Sequence, residues 1–275
     1  MQTISPELIK SLLKKRLPDS HKGTYGHALL IAGNLGKMGA AVISAKACVR
    51  SGVGLVTVNI PFIERVTIQI SVPEAMLSFR ENLIENYESF SAIGIGPGID
   101  KYIVEKKVLK QIIKYSNKPV VFDADALNII ADSKKMLEKI PPNSIITPHP
   151  KEFDRLFGTH SSVEERRHTA INMAALLDIV IVLKGHQTFV TDGTESFINN
   201  TGNPGLAKGG SGDALTGLIT GLLSQQYISQ HAALIGVCIH GLAADITLQS
   251  QPMETMLVTD VIKNFGAAFQ QILSN

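Results

Sequence analysis

Short apolar runs and helical stripes alternate along most of this chain. Ala28–Ala32, Leu55–Ile60, Ala92–Ile95, Pro119–Phe122, Ser144–Thr147 and Ile179–Leu183 are brief stretches rich in apolar or β-branched residues. That is the pattern of strands buried on both faces of a parallel sheet. Another extended piece begins at Pro73. Helical spacing lies between these runs, at about 40–51, from about 61, at 101–115 and at 163–177. It closes the chain at about 210–224, 229–249 and 259–273. Residues 5–17 predict a first helix, with Ser5 as cap, Pro6 in the first turn and Leu8, Ile9, Leu12 and Leu13 on one face. Residues 187–191 and 195–199 predict a hairpin around Asp192-Gly193. Strands alternating with helices imply an α/β fold. A largely parallel central sheet would carry helices on both faces, with a late antiparallel hairpin at one edge. No linker, repeat or low-complexity segment interrupts residues 1–275, which predicts one domain.

One stretch concentrates the candidate chemistry. Between Asn203 and Asp213, four of eleven residues are glycine, and an apolar helical stripe (Leu215, Leu218, Ile219, Leu222, Leu223) follows at once. A glycine turn feeding a helix start offers unpaired N–H groups and partial positive charge to an anion. Gly209, Gly210, Ser211 and Gly212 are therefore a candidate anion hole. Asp213 puts a carboxylate where a phosphate would bind, which suits a base that deprotonates a hydroxyl attacking a phosphoryl group. The plainer alternative is a tight turn with Asp213 favouring a helix start.

The other polar and glycine-rich segments fall just after strands: Gly33–Gly39, Gly96–Gly98, Asp123–Asn128, Thr147–His149 and Lys184–Thr188. Ligands of open parallel sheets bind at that rim. Each segment also has a plain reading. Gly96 and Gly98 can simply turn the chain at Pro97. Asp123 or Asp125 can cap a helix, hold Mg²⁺ or meet a substrate hydroxyl. His149, between two prolines, is a phosphate donor, a general acid or a surface histidine. Lys184 ends a buried strand and needs either a nucleotide or a carboxylate beside it. Ala40 and its small neighbours admit either a ligand or a close helix.

Composition narrows the function classes. Hydrophobic residues make up 44% and charged residues 18%, and the net charge of +2 leaves no strong basic face for nucleic acid or anionic membrane. Cys48 and Cys238 sit in apolar helical patterns, with no metal-ligand spacing and no disulfide framework, which suits a reducing cytoplasm. The first residues lack the apolar core of a signal peptide, and no uninterrupted apolar run is long enough to cross a bilayer.

Taken in order, eight segments resemble the ADP/ATP-dependent NAD(P)H-hydrate dehydratases of the ribokinase-like superfold. They are Gly33–Gly39, Ser51–Thr57, Pro73–Met76, Gly94–Gly98, Phe122–Asn128, Thr147–Phe153, Val182–Thr188 and Gly202–Asp213. The resemblance runs from about residue 20 to 270. It implies a carbon–oxygen lyase of metabolite repair acting on the S form of hydrated NADH or NADPH (NADHX, NADPHX). The nucleotide, ADP in preference to ATP, phosphorylates the ring hydroxyl; phosphate then leaves. By the same resemblance Asp213 is the base, and Lys184, Gly185, His186, Gln187, Thr188 and Gly212 bind the nucleotide. Ala40, Gly98, His149 and Asp213 contact the hydrated cofactor. It also implies Mg²⁺, a homotetramer and, with no fused epimerase domain, a separate epimerase as functional partner. Ile99-Asp100 departs from the Leu-Gly common in that family. The rival readings are a kinase for a vitamin alcohol on the same superfold, and a non-catalytic nucleotide sensor.

Overall fold

The computed structural model describes residues 1–82 and 87–274. Its elements are, in order, strand β1 (Gln2–Thr3), helix α1 (Pro6–Leu12), β2 (His27–Ile31), α2 (Met38–Val49), β3 (Leu55–Ile60), α3 (Arg65–Ser71), β4 (Met76–Phe79) and β5 (Ala92–Ile95). Then come α4 (Ile103–Tyr115), β6 (Val120–Phe122), α5 (Ala124–Ala131), α6 (Lys134–Leu137), β7 (Ile145–Ile146), α7 (Pro150–Phe157), α8 (Val163–Leu177) and β8 (Val180–Leu183). The chain ends with β9 (Thr188–Thr191), β10 (Ser196–Asn199), α9 (Ser211–Ser224), α10 (Ser229–Thr247), α11 (Val258–Lys263) and α12 (Phe265–Ser274).

The strands form one ten-stranded sheet in the order β1-β10-β9-β8-β7-β6-β5-β2-β3-β4. Pairing is parallel from β4 to β8, and antiparallel at β8–β9 and β9–β10. The mostly parallel α/β sheet and its late hairpin are as the apolar pattern implied. Because successive strand residues face opposite ways, β2 sends Leu29 and Ile31 into a cluster with α4, α5 and α8. Its Ala28 and Leu30 face the other side, against α2. A further cluster lies under α9, α10 and α12.

Helix α9 is the buried axis of that layer: every residue from Ala214 to Ser224 is buried. Two features let it run so close to α2. Thr220 and Ser224 satisfy their hydroxyls on carbonyls one turn back, at 2.7 and 2.9 Å. Gly217 lies where an added Cβ would fall 2.0 Å from Ser44 O. Ala41 and Ala45 of α2 are fully buried in that packing.

Two local expectations change, and one strand appears that the apolar pattern did not signal. The first helix stops at Leu12 instead of reaching 17, because the Lys14 N–H donates to Tyr227 Oη (2.9 Å) and draws the chain out straight. The last helix breaks at Asn264, whose side chain donates to Thr247 Oγ1 (2.8 Å). Polar Gln2-Thr3, with no apolar signal, pairs in parallel with Phe197-Ile198 and extends the sheet past the hairpin.

The strand order reverses between β2 and β5. Chain from β2 runs outward to β3 and β4, then returns to β5 on the other side. Such a switch point opens a crevice at the C-terminal strand ends. Gly33–Gly39 and Gly96–Gly98 occupy it, joined by a Gly33 N–H to Pro97 O bond of 2.8 Å.

Candidate active site

The glycine turn delivers the chain to α9 through Gly210, whose φ of 98° suits glycine and whose added Cβ would sit 2.6 Å from Ile43 Cδ1. The Ala214 N–H closes the first helical bond onto Gly210 O (2.9 Å). Among the described residues nothing accepts from the Gly212 and Asp213 N–H groups, so two donors face outward at the positive end of a helix. Ser211 is committed elsewhere: its hydroxyl donates to Leu206 O (2.6 Å) and pins the preceding loop. Gly209 has no heavy atom within 4 Å of an added Cβ.

Beside this helix start lies an ion pair between a half-buried lysine and a buried aspartate. Lys184 Nζ meets Asp123 Oδ1 at 2.7 Å, and Asp123 Oδ2 accepts from Thr216 Oγ1 at 2.8 Å. Burial opposes the Asp123 charge. The Lys184 ammonium and hydrogen bonds from Lys184, Thr216 and Thr147 outweigh that penalty and hold it below the usual carboxylate range. An added Cβ on Gly212 would lie 3.2 Å from Lys184 Nζ, so the ammonium and the helix start share one corner. The carboxylate that Lys184 required is thus Asp123, although the two are 61 residues apart.

Asp213 is the contrasting carboxylate. No described group donates a hydrogen bond to it. Burial first, then the charges of Asp123 and Asp125 against the pull of Lys184, push its pKa up to about 6. That places a carboxylate near the range in which a general base works best at neutral pH.

His149 caps α7. Its Nδ1 accepts from the N–H groups of Lys151 (3.1 Å) and Glu152 (3.3 Å), and Glu152 Oε2 accepts the His149 N–H in return (2.9 Å). A neutral ring so held carries its proton on Nε2. Burial lowers its pKa, partly countered by Glu152. His-Pro-x-Glu is a capping box with histidine in the serine position. That signal was present for α7 in the sequence.

A cavity of about 500 Å³ collects His149, Lys184, Gly185, His186, Thr188, Ser211 and Gly212. Its walls add residues that were not among the candidate site residues. Leu206, Leu215 and Val237 make an apolar side, and Asn199, Thr201 and Asn203 a polar one, with His240 among the lining. Gln187 instead borders a smaller cavity of about 290 Å³ with Arg167.

Ala40 and Gly98 form a separate group at the switch point. Gly98 has φ 61°, and an added Cβ would be 2.9 Å from Ala40 Cβ. The turn around Pro97 is therefore also a tight seam between two loops. Asp100 follows with φ 67°, a conformation in which glycine is at ease and Asp is tolerated. Here Asp100 pairs with Lys37 across the seam, and its N–H donates to Asp125 Oδ2 (2.9 Å).

Among the described residues Mg²⁺ finds no protein cage in this arrangement. Both Asp123 oxygens are taken, one by an ammonium, and Asp125 accepts from Asp100. Among the described residues no three His, Cys, Asp or Glu side chains cluster as metal ligands. No described helix is long and apolar enough to cross a membrane.

Comparisons with known proteins follow the same lines. A family model described as NAD(P)H-hydrate dehydratase matches residues 28–266. The ADP-dependent (S)-NAD(P)H-hydrate dehydratase of Bacillus subtilis (strain 168) is 35% identical over 281 residues, covering 96% of this chain and 97% of that protein. The bifunctional NAD(P)H-hydrate repair enzyme Nnr of Coxiella burnetii is 37% identical, over 91% of this chain but 51% of its own length. The chain thus spans about half the length of that bifunctional relative. Among solved structures, an ADP/ATP-dependent NAD(P)H-hydrate dehydratase from Bacillus subtilis, co-crystallised with ATP/Mg²⁺, superimposes with a TM-score of 0.88, 32% identity and 98% of each chain covered. A ribokinase-like superfamily protein from Enterococcus faecalis gives 0.87 at 28% identity, covering 100% of this chain and 97% of that one.

Proposed function

We propose a reaction from one premise: this chain belongs to the NAD(P)H-hydrate dehydratase family. The reaction is the nucleotide-dependent dehydration of the S form of hydrated NADH or NADPH. The terminal phosphoryl group of ADP or ATP passes to the ring hydroxyl, whose proton goes to Asp213. The new C–O–phosphate bond then breaks, phosphate leaves, and loss of a proton from the adjacent ring carbon restores the reduced nicotinamide. Hydroxide is a poor leaving group and phosphate a good one, which is what the nucleotide contributes.

The observation that carries this reading is Asp213 itself. It is a half-buried carboxylate that no described group hydrogen-bonds, with a pKa raised to about 6, in the first turn of a helix whose Gly212 and Asp213 N–H groups meet no acceptor among the described residues. It also feels charges from both groups of candidate residues: Asp123 and Lys184 on one side, Asp125 on the other. A base between a phosphate donor and a hydroxyl has to sit at such a junction. Free N–H groups of Gly212 and Asp213 would receive charge developing on the transferred phosphoryl group.

In this reading the nucleotide occupies the larger cavity, with Lys184 and the turn to Thr188 along its phosphates. The hydrated ring lies toward Ala40 and Gly98. His149 offers Nε2–H as a donor while its Nδ1 stays bound in the α7 cap. ADP is the preferred donor, in keeping with the name of the Bacillus subtilis relative. Any Mg²⁺ would arrive on the nucleotide phosphates, which suits an ion that keeps its waters and binds through phosphate. A cytoplasmic homotetramer, supplied with the S form by a separate epimerase, completes the proposal.

The test is to mix the purified chain with hydrated NADH, Mg²⁺ and either ADP or ATP. The near-ultraviolet absorbance of reduced nicotinamide should rise, with phosphate released, only when a nucleotide is present. No rise with either nucleotide, together with a stable phosphorylated vitamin alcohol formed from ATP, would overturn it in favour of a kinase.

A further inference from the structure

Arg80 follows the edge strand β4, yet it is only 4% exposed. Its guanidinium reaches back to the C-terminal ends of β3 and β2. Nη1 donates to Gly33 O (2.8 Å), and Nη2 to Ala32 O (3.1 Å) and Asn59 O (2.8 Å). These carbonyls lie where the ladder runs out. Nη1 also lies 3.7 Å from buried Glu105 Oε1 in α4. Glu105 Oε1 in turn accepts from Asn34 Nδ2 at 3.4 Å, and the same amide donates to Ile99 O at 2.9 Å. One buried chain of contacts therefore runs from β4 through the Gly33–Gly39 loop to the Gly96–Asp100 loop.

We infer that Arg80, acting through Glu105 and Asn34, is a positioning residue for the hydrated-cofactor side of the site. It sets the spacing between the loop that leads into Ala40 at the start of α2 and the loop that carries Gly98. This rests on the dehydratase reading above. Buried ion pairs are poor sources of stability, and apolar side chains often serve as well. What a guanidinium adds is direction, since its donors are fixed in one plane. The nucleotide turn after β8 lies three strands from β5 in the sheet, and none of Arg80's hydrogen bonds goes to it.

The experiment measures KM for hydrated NADH and for the nucleotide separately in Arg80→Lys, which keeps the charge and loses the fork. The hydrate KM should rise about tenfold, as for a small misplacement of a reacting group, while the nucleotide KM stays within about twofold. Asn34→Ala cuts the link to Ile99 and leaves the Arg80–Glu105 pair in place. It should shift the hydrate KM in the same direction by less, and it decides the matter if Arg80→Lys does not fold. An unchanged hydrate KM in the folded variants, or an equal rise for both substrates, overturns the inference alone. Absence of turnover in the unmodified chain overturns the dehydratase reading and this inference with it.

Discussion

After β8 the chain leaves Gly185, His186 and Gln187 exposed, beside a cavity of about 500 Å³. After β2 and β5 the chain is pinned instead, although Leu35, Gly36 and Lys37 stay exposed. The Gly33–Gly39 and Gly96–Asp100 loops press together until Gly98 has no room for a Cβ, and buried side chains tie both from below. The first region offers a ready volume with an apolar wall. The second offers a surface whose shape depends on a seam. A volume tolerates small displacements of its lining, whereas a seam does not. Substitutions near the nucleotide should therefore act through charge and chemistry, and substitutions near the switch point through sub-ångström spacing.

The sharpest cut falls where the two regions meet. Asp213→Asn should lower turnover by about 10²–10⁴-fold, the span of general-base catalysis, while nucleotide still binds. Near-normal turnover would remove Asp213 as the base. In the unmodified protein kcat/KM should climb with pH and reach half its plateau near the raised pKa of about 6. The sign for stability is opposite. A carboxyl whose folded pKa is raised contributes stability below its unfolded pKa and loses that contribution as pH rises through the folded value. Asp213→Asn should therefore melt higher than the unmodified protein at neutral pH, and a lower melting point there would contradict the burial account.

Lys184→Met comes next. It strands Asp123, which is 1% exposed, with hydroxyl partners alone. Removing one member of a buried pair costs about 3–5 kcal/mol, so denaturant unfolding should show a loss of that order and a weakened nucleotide KM. A pair that behaves as a surface salt bridge, with a change near zero, would refute the charged corner.

Gly98→Ala probes the seam. The new methyl meets Ala40 in a left-handed backbone position, a combination that costs more than about 1 kcal/mol. The hydrate KM should rise and the nucleotide KM should not. Equal effects on both would erase the distinction between the regions. The smallest effect belongs to Asp100→Gly, which relieves φ 67° but breaks a half-exposed ion pair with Lys37. These terms oppose each other, and stability should stay within about 1 kcal/mol, as measured by chemical denaturation.

Much of this site was legible along the chain, residue by residue. The Asn203–Asp213 turn announces a helix start with spare donors because glycine frequency and helical spacing are local properties. The apolar runs announce parallel strands for the same reason, and strand ends collect the glycines and polar groups that a ligand needs. His149-Pro150-Lys151-Glu152 held a capping signal hidden by the unusual use of histidine as acceptor. Gln2-Thr3 held none, since a two-residue polar strand exists only through the β10 edge it meets.

What neighbours in sequence could not supply was pairing. Lys184 needed a counter-ion, but several acids were available, and only the packing of β6 beside β7 and β8 brings Asp123 to 2.7 Å. Asp213 reads from sequence as a carboxylate; its raised pKa comes from burial and from the charges of Asp123 and Asp125 after β6, against the opposing pull of Lys184 after β8. Arg80 looks like an ordinary residue after an edge strand until the fold brings its guanidinium to carbonyls 47 and 48 positions away. Periodicity is set by bonds between adjacent residues and survives in a linear text. Distance, desolvation and field are set by residues that meet only after the sheet has ordered its strands.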